Sequence, residues 1–275
     1  MPQSRDVPAG VDPTVPSPAR LYDYYLGGNN NYPADREAAA VFIANMPDLR
    51  DSVWANRGFH QRAALWMAAE QGIRQFIDIG AGLPTQNNTH EAVQQAVPDA
   101  RVVYVDHDPM VAAHADMLLA GSSGTAFVLA DLRRPDEVLS HPKLTELIDF
   151  AQPTGLLMTA VMHFVAPASD PWGLVARYAA AMAPGSYLAL SHITGDQLPP
   201  AGVQAGIELY ARASEQAFPR TRAEVERFFT GLQLVPPYAG AEPAVSYVGL
   251  WGAEEPELAD SDGSRALYCG VARCP

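Results

Sequence analysis

The chain has 275 residues, enough for one large domain with an appended piece and for a sizeable buried core. Hydrophobic residues make up 48% and charged residues 18%, which excludes a disordered chain. With 18 basic against 31 acidic residues, a formal charge of −13 opposes the phosphate neutralisation that nucleic-acid and anionic-membrane partners require. The two cysteines, Cys269 and Cys274, are too few for a disulfide framework or an unaided zinc site, and read as reduced thiols of a cytoplasmic protein.

In chain order, residues 1–17 carry Pro2, Pro8, Pro13 and Pro16 among few apolar side chains, which predicts a mobile, disordered tail without signal-peptide character. Residues 18–73 are helical in pattern and are expected to form an N-terminal helical lid. Asp35 can cap a helix through 38–43, and Asp51 or Ser52 one that carries Val53, Phe59, Ala63 and Met67 and ends near Gly72. Between them, YDYYLGGNNNYP (22–33) is too rich in Gly and Asn for an element interior and predicts a shaped loop.

Beyond Ile73 the texture changes. Strands are expected at 75–79, 101–105, 125–129, 155–162 and 187–191, alternating with helices at 88–97, 109–120 and 170–182 and a turn at 135–139. Strands apolar on both faces, alternating with helices, predict a doubly wound, mostly parallel α/β sheet covered on both sides. Helical segments at 201–217 and 222–229 fall in a cap insertion expected over about 196–230. Strands at 245–250 and 267–272 bring the sheet to seven and flank an acidic stretch, 252–264, expected as an exposed hairpin connection. The longest apolar run, 155–165, is far shorter than the roughly 20 residues that span a bilayer. Residues 74–275 thus read as one α/β domain.

The most informative stretch is FIDIGAGLPT (76–85), a strand running into a glycine turn and then a helix. Parallel sheets bind ligands beyond their carboxyl strand ends, where glycine permits close backbone approach. A dinucleotide fingerprint would require a third glycine at the position of Thr85, and here the acid, Asp78, precedes the glycines. The second strand ends in Asp106, near the distance of about 20 residues from the glycine turn expected of a ribose-binding carboxylate. The third ends in Asp131. Each acid also has a structural reading: Asp78 as a hydrogen-bonded strand residue, Asp106 as a turn residue, Asp131 as a cap. Asp108, before Pro109, reads as a helix cap.

Taken together, ARLYDYYLGGNNNYPADREAA (19–39), NRGF (56–59), RQFIDIGAGLPT (74–85), VVYVDHDP (102–109), ADLRRP (130–135), HFV (163–165) and PGSYLALSH (184–192) resemble a bacterial S-adenosyl methyltransferase family, formerly a domain of unknown function, of the class I superfamily. The resemblance spans roughly 18–235. It implies a Rossmann-like class I methyltransferase fold with S-adenosyl-L-methionine (SAM) as cofactor and S-adenosyl-L-homocysteine (SAH) as product. It further implies that Asp78, Gly80, Ala81 and Gly82 face the ligand's amino-acid end, Asp106 and His107 the ribose, and Asp131 and Leu132 the adenine.

Methyl transfer to a heteroatom needs positioning and water exclusion rather than a nucleophilic triad or a metal. Tyr22, Tyr25 and Tyr32 are expected to shield the sulfonium, while Gly27, Gly28 and Asn29 let the loop fold over the ligand; helix packing is the other reading of the tyrosines. Arg57 either pairs with the ligand's carboxylate or forms a surface ion pair. His163 is the candidate general base, and His192 either touches the acceptor or fixes a loop. The expected function is O- or N-methylation of a small-molecule acceptor, with an NAD(P)-dependent oxidoreductase and a noncatalytic SAM-binding regulator as alternatives.

Overall fold

The structure is a computed structural model that describes residues 7–84, 87–119, 122 and 124–275. Three helices come first: α1 (Pro18–Tyr25), α2 (Pro33–Asn45) and α3 (Leu49–Ala69). Proline opens α1 and α2, where its missing N–H leaves no helical bond unmade. Strands then alternate with helices through β1 (Gln75–Ile79), α4 (Thr89–Ala96), β2 (Arg101–Asp106), α5 (Pro109–Leu118), β3 (Thr125–Leu129), α6 (Pro135–Leu139), α7 (Pro142–Leu147), β4 (Gly155–Thr159), α8 (Pro171–Ala180) and β5 (Tyr187–Ile193). The chain closes with α9 (Pro200–Tyr210), α10 (Arg222–Glu226), β6 (Gln233–Leu234), β7 (Ser246–Tyr247), α11 (Pro256–Ala259) and β8 (Leu267–Arg273).

The strands lie in the order β3-β2-β1-β4-β5-β8-β6, and the two-residue β7 pairs with β8 off this path. β1 to β5 are parallel, and β8 runs antiparallel to β5, β6 and β7. The expected seven-stranded sheet is therefore the path itself, with β7 as an eighth, marginal member. Every residue of β1 is buried, and Ile77 aligns with Val103 on one side and Leu156 on the other. Alternation sends Phe76 into the layer beneath α3 and Ile77 into the layer shared with Val175 of α8, so both faces are covered. Strand order reverses between β1 and β4, which opens a crevice at their carboxyl ends.

Residues 7–17, expected within a mobile tail, are instead held in place; residues 1–6 of that tail lie outside the described residues. The Arg20 guanidinium donates to the carbonyls of Asp12 and Val15, the Ser17 hydroxyl donates to Asp108 (2.7 Å), and the Ser214 N–H donates to the Pro16 carbonyl (2.8 Å). Prolines rule out helix here, but the carbonyls of the segment are satisfied by donors from two other segments, Arg20 of α1 and the Ser214 N–H. The first four residues of the expected 22–33 loop complete α1. The strand expected over 155–162 stops at Thr159 because Ala160 turns into the left-handed region (φ 52) and donates its N–H to Ser191 Oγ (2.9 Å). Part of the 252–264 connection is buried: Gly263 and Ser264 pack on α3, where Arg62 donates to the adjacent Val248 and Trp251 carbonyls.

α9 crosses α2 closely. A Cβ on Gly206 would lie 3.0 Å from Phe42 Cζ, and one on Gly202 3.1 Å from the Asn45 carbonyl oxygen. The helical unit is fixed further by Asp35, which is fully buried and accepts from Arg20 Nε (2.8 Å), the Ser17 N–H (3.1 Å) and the Tyr32 N–H (2.8 Å). Removing one member of a buried pair leaves an uncompensated charge, so Asp35→Ala is expected to lower unfolding stability by about 3–5 kcal/mol. Urea denaturation measures this, and an unchanged midpoint would show that the pair does not anchor the helices.

Candidate functional site

The floor of the site is the turn after β1. Gly80 has φ +74, and a Cβ there would fall 2.3 Å from Val161 Cγ2, so the position admits glycine alone. The N–H groups of Gly80 and Ala81 donate to the Val105 carbonyl (2.8 and 3.2 Å), locking the turn to β2. The Gly82 N–H donates to Asp106 Oδ2 and the Asp108 N–H to Asp106 Oδ1, each at 2.9 Å. Each oxygen of that carboxylate keeps a lone pair for a further donor. Burial raises the Asp106 pKa, against the pull of these N–H groups and of His107. Asp108 caps α5 through the Met110 N–H (2.8 Å), as its sequence context predicts.

A polar chain runs behind the floor. Thr89 Oγ1 donates to Asp78 Oδ2 (2.6 Å), while Thr89 Oγ1 lies 2.8 Å from His60 Nε2 and His60 Nδ1 lies 2.9 Å from Thr159 Oγ1. Burial pushes the His60 pKa down to about 3, so the ring is neutral and carries one proton. Thr89 spends its proton on Asp78, which places the ring proton on Nε2 and makes Nδ1 the acceptor of the Thr159 hydroxyl. His60 Nε2 also lies 3.7 Å from Asp78 Oδ2, but a neutral ring makes no ion pair there. Burial pushes Asp78 up to about 6, despite the Thr89 hydrogen bond and the nearby charge of Arg57.

From these strand ends a cavity of about 540 Å³ extends beneath α1, α2, α3 and α9. Its strand end is polar, lined by Asp78, the glycine turn and Asp106. Its helical end is apolar, lined by Phe42, Met46, Val53, Ile193, Val203 and Ile207. Glu215 reaches across the rim to His107 Nε2 (3.0 Å) and Arg133 Nη1 (3.3 Å), which raises the His107 pKa; the same partners outweigh burial and lower that of Glu215. A turn that a Cβ would fill, beside two buried acids of which Asp106 has lone pairs to spare, suits an adenosyl ligand.

The sequence pattern of the S-adenosyl methyltransferase family matches residues 4–275. The chain belongs to that family. Two solved structures resemble it over nearly their full length. One, from Thermobifida fusca YX and provisionally described as a methyltransferase, is 38% identical, with a TM-score of 0.88 over 97% of both chains. The other, a DUF574 family protein from Streptomyces avermitilis MA-4680, is 39% identical, with a TM-score of 0.87 over 95% of this chain and 98% of its own. No curated protein matches the chain. The protein is thus a SAM-dependent methyltransferase with a doubly wound, mostly parallel α/β sheet and SAM as its cofactor, and neither the oxidoreductase nor the noncatalytic alternative is favoured. Among the described residues no helix is long and apolar enough to cross a membrane.

The methyltransferase brings most of the expected ligand residues to one cavity: Asp78, Gly80, Ala81, Gly82, Asp106, His107, Leu132, Tyr25 and Arg57 all line it. Arg57 donates through Nη2 to the Asn87 carbonyl (2.8 Å), a contact other than the surface ion pair its sequence context allowed. Asp131 is not among the lining residues. Its carboxylate is taken by Arg133, whose Nε lies 2.9 Å from both oxygens and whose N–H donates to Oδ1. Gly28 and Asn29 are exposed and stand outside the cavity, because the loop folds back on α1 rather than over the ligand space. The Gly28 N–H donates to the Asp23 carbonyl (2.8 Å), and the Asn30 N–H and Asn31 amide both donate to Asp23 Oδ2. Tyr32 points instead toward α5, its hydroxyl 3.9 Å from Met110 Sδ.

His163 borders the cavity, with Nδ1 buried and without a partner. Burial, together with His192 and Arg220, holds its pKa well below the usual histidine range. His192 fixes a loop: its Nδ1–H donates to the Ile193 carbonyl and its Nε2 accepts from Arg220, which also donates to the Met162 and Val165 carbonyls. Sequence reasoning missed His60, Thr89 and Thr159, and missed Asn56, which links Ser191 Oγ (2.5 Å) to the Tyr22 hydroxyl (2.9 Å). A signal for two of them existed: Ser52, Asn56 and His60 recur at four-residue spacing and are all buried on α3.

The raised pKa of Asp78 has a sign. An acid whose folded pKa exceeds its unfolded value near 3.9 destabilises the fold increasingly from about pH 4 to 6 and by a constant amount above that. Asp78→Asn is therefore expected to gain stability over the parent as pH rises from 4 to 7, by at most ~3 kcal/mol, in denaturant titrations of the ligand-free protein. A pH-independent difference would mean that Asp78 is not ionised at a cost.

Proposed function

We propose that this methyltransferase acts on a small molecule that enters the apolar end of the cavity while SAM occupies the polar end. The observation that carries the reading is the continuity of the two ends: one cavity of about 540 Å³, within the roughly 300–1,000 Å³ typical of small-molecule sites, joins the strand-end acids to a hydrocarbon-lined compartment. When bound, SAM supplies an electrophilic methyl group on a positively charged sulfur.

The chain's own residues then bind, orient and exclude water. Asp106 accepts from the ribose hydroxyls with the lone pairs left over after Gly82 and Asp108. Asp78 pairs with the ligand's ammonium, which favours its ionised form, and Thr89, held by His60, keeps that carboxylate pointed at the cavity. Arg57 takes the ligand's carboxylate. Leu132, which lines the cavity where Asp131 does not, would pack against the adenine. Tyr22 is a wall rather than a base, since its hydroxyl accepts from Asn56 and donates to the Val53 carbonyl (3.3 Å). His163 is a positioning and lining group: its depressed pKa leaves it a weak base, and a lone pair facing the ligand would require the proton on the buried, partnerless Nδ1.

Asp106→Ala is expected to weaken SAH binding more than tenfold in titration calorimetry, since it removes the ribose acceptor and leaves the Gly82 and Asp108 N–H groups unpaired. Near-normal affinity in a folded variant would contradict the ribose assignment.

A further inference from the structure

Between the end of α9 at Tyr210 and the start of α10 at Arg222 the backbone forms neither helix nor strand, yet it is stitched to separate parts of the molecule. The Ser214 N–H donates to the Pro16 carbonyl before α1, and the Phe218 N–H donates to the His163 carbonyl beyond β4, each at 2.8 Å. Arg220 anchors the far end through the Met162 and Val165 carbonyls and His192. Ser214, Glu215, Ala217 and Pro219 line the cavity, so this stretch is a strap along its rim rather than an outlying loop.

Glu215 ties the strap to the strand ends. One oxygen accepts from Nε2–H of His107, the residue after Asp106, at 3.0 Å; the other accepts from Nη1 of Arg133, beyond β3, at 3.3 Å. His107 Nδ1 in turn lies 3.7 Å from Asp106 Oδ1. One hydroxyl can span that separation when His107 carries both ring protons, accepting from Nδ1–H and donating to the carboxylate. The charged groups facing His107 are Glu215 on the strap, Asp106 of β2 and Asp131 beyond β3, and Arg133 is shared between Asp131 and Glu215. The Glu215 side chain is only 18% exposed, so its contacts are screened less than those of an open surface bridge.

We propose that Glu215 is a positioning residue for the cofactor, latching the strap over the ribose and holding the His107 ring beside Asp106. The inference rests on the assignment of Asp106 to the ribose and adds the group that retains that ribose. Release of the cofactor requires the Glu215 contacts to part, while a bound ribose braces His107 from the other side and favours closure. The acids around His107 also raise its pKa, which keeps both ring N–H groups in place over more of the neutral range.

Surface plasmon resonance of SAH on the immobilised protein tests this, because it separates the two rate constants. Glu215→Gln is expected to speed SAH dissociation at least threefold without slowing association, since it removes the charge from both latch contacts. Arg133→Gln, whose side chain stands outside the cavity, is expected to speed dissociation in the same direction, an effect that contact with the ligand cannot produce. The ratio of dissociation rates, Glu215→Gln over parent, is expected to fall from about pH 7 to 9 as His107 loses its charge; Asp78 and the ligand's own groups titrate alike in both proteins. Parental dissociation rates in both variants, or a ratio that does not change with pH, overturn the latch, and the ribose assignment stands if Asp106→Ala still weakens binding. Near-normal SAH affinity in folded Asp106→Ala overturns the reading beneath it.

Discussion

The carboxylate of Asp106 is the group on which the architecture of this methyltransferase turns. It holds the glycine turn through Gly82 and the cap of α5 through Asp108. Asp108 accepts the Ser17 hydroxyl, the Ser17 N–H goes to Asp35, and Asp35 holds Arg20 and the entry to α2. An unbroken series of hydrogen bonds thus leads from the end of β2 to the helices that roof the cavity. Floor and roof are in register because they share one polar thread, and the proposed ribose acceptor is also the first structural link of the roof.

Burial is the common cause of the site's electrostatics. It raises the acids Asp78 and Asp106 and lowers His60, His163 and His192. His60, His163, Asp78 and Asp106, which line the cavity, are thus all held against charge, and a cationic ligand would relieve the two acids. A cofactor with a sulfonium and an ammonium meets that demand.

Local signals were legible in the sequence and distant ones were not. The turn after β1 and the Asp108 cap could be read because their determinants are neighbours: Gly80 follows the strand, and the N–H bonded by Asp108 is two residues away. Arg133, equally close to Asp131, carried the same kind of signal against an adenine role and went unread. The relay through His60 depends on partners 29 and 99 residues away, a separation no spacing rule reaches. The Gly-Asn stretch was read as a shaped loop and aimed over the ligand, whereas donors of Gly28, Asn30 and Asn31 go to Asp23 in the preceding helix. The proline-rich segment before α1 shows the same limit: composition excluded a helix there, but order came from donors elsewhere in the chain.

The close crossing of α9 over α2 has a consequence for how this family diversifies. The height of the apolar compartment is set where Gly202 and Gly206 meet Asn45 and Phe42, at contacts of 3.1 and 3.0 Å for a single added methyl group. One carbon atom at either position obliges Phe42 or the Asn45 carbonyl to give by a few tenths of an ångström, which bears on the spacing of α9 from α2. The apolar compartment can therefore be resized at this crossing while the strand ends proposed to bind the cofactor stay unaltered.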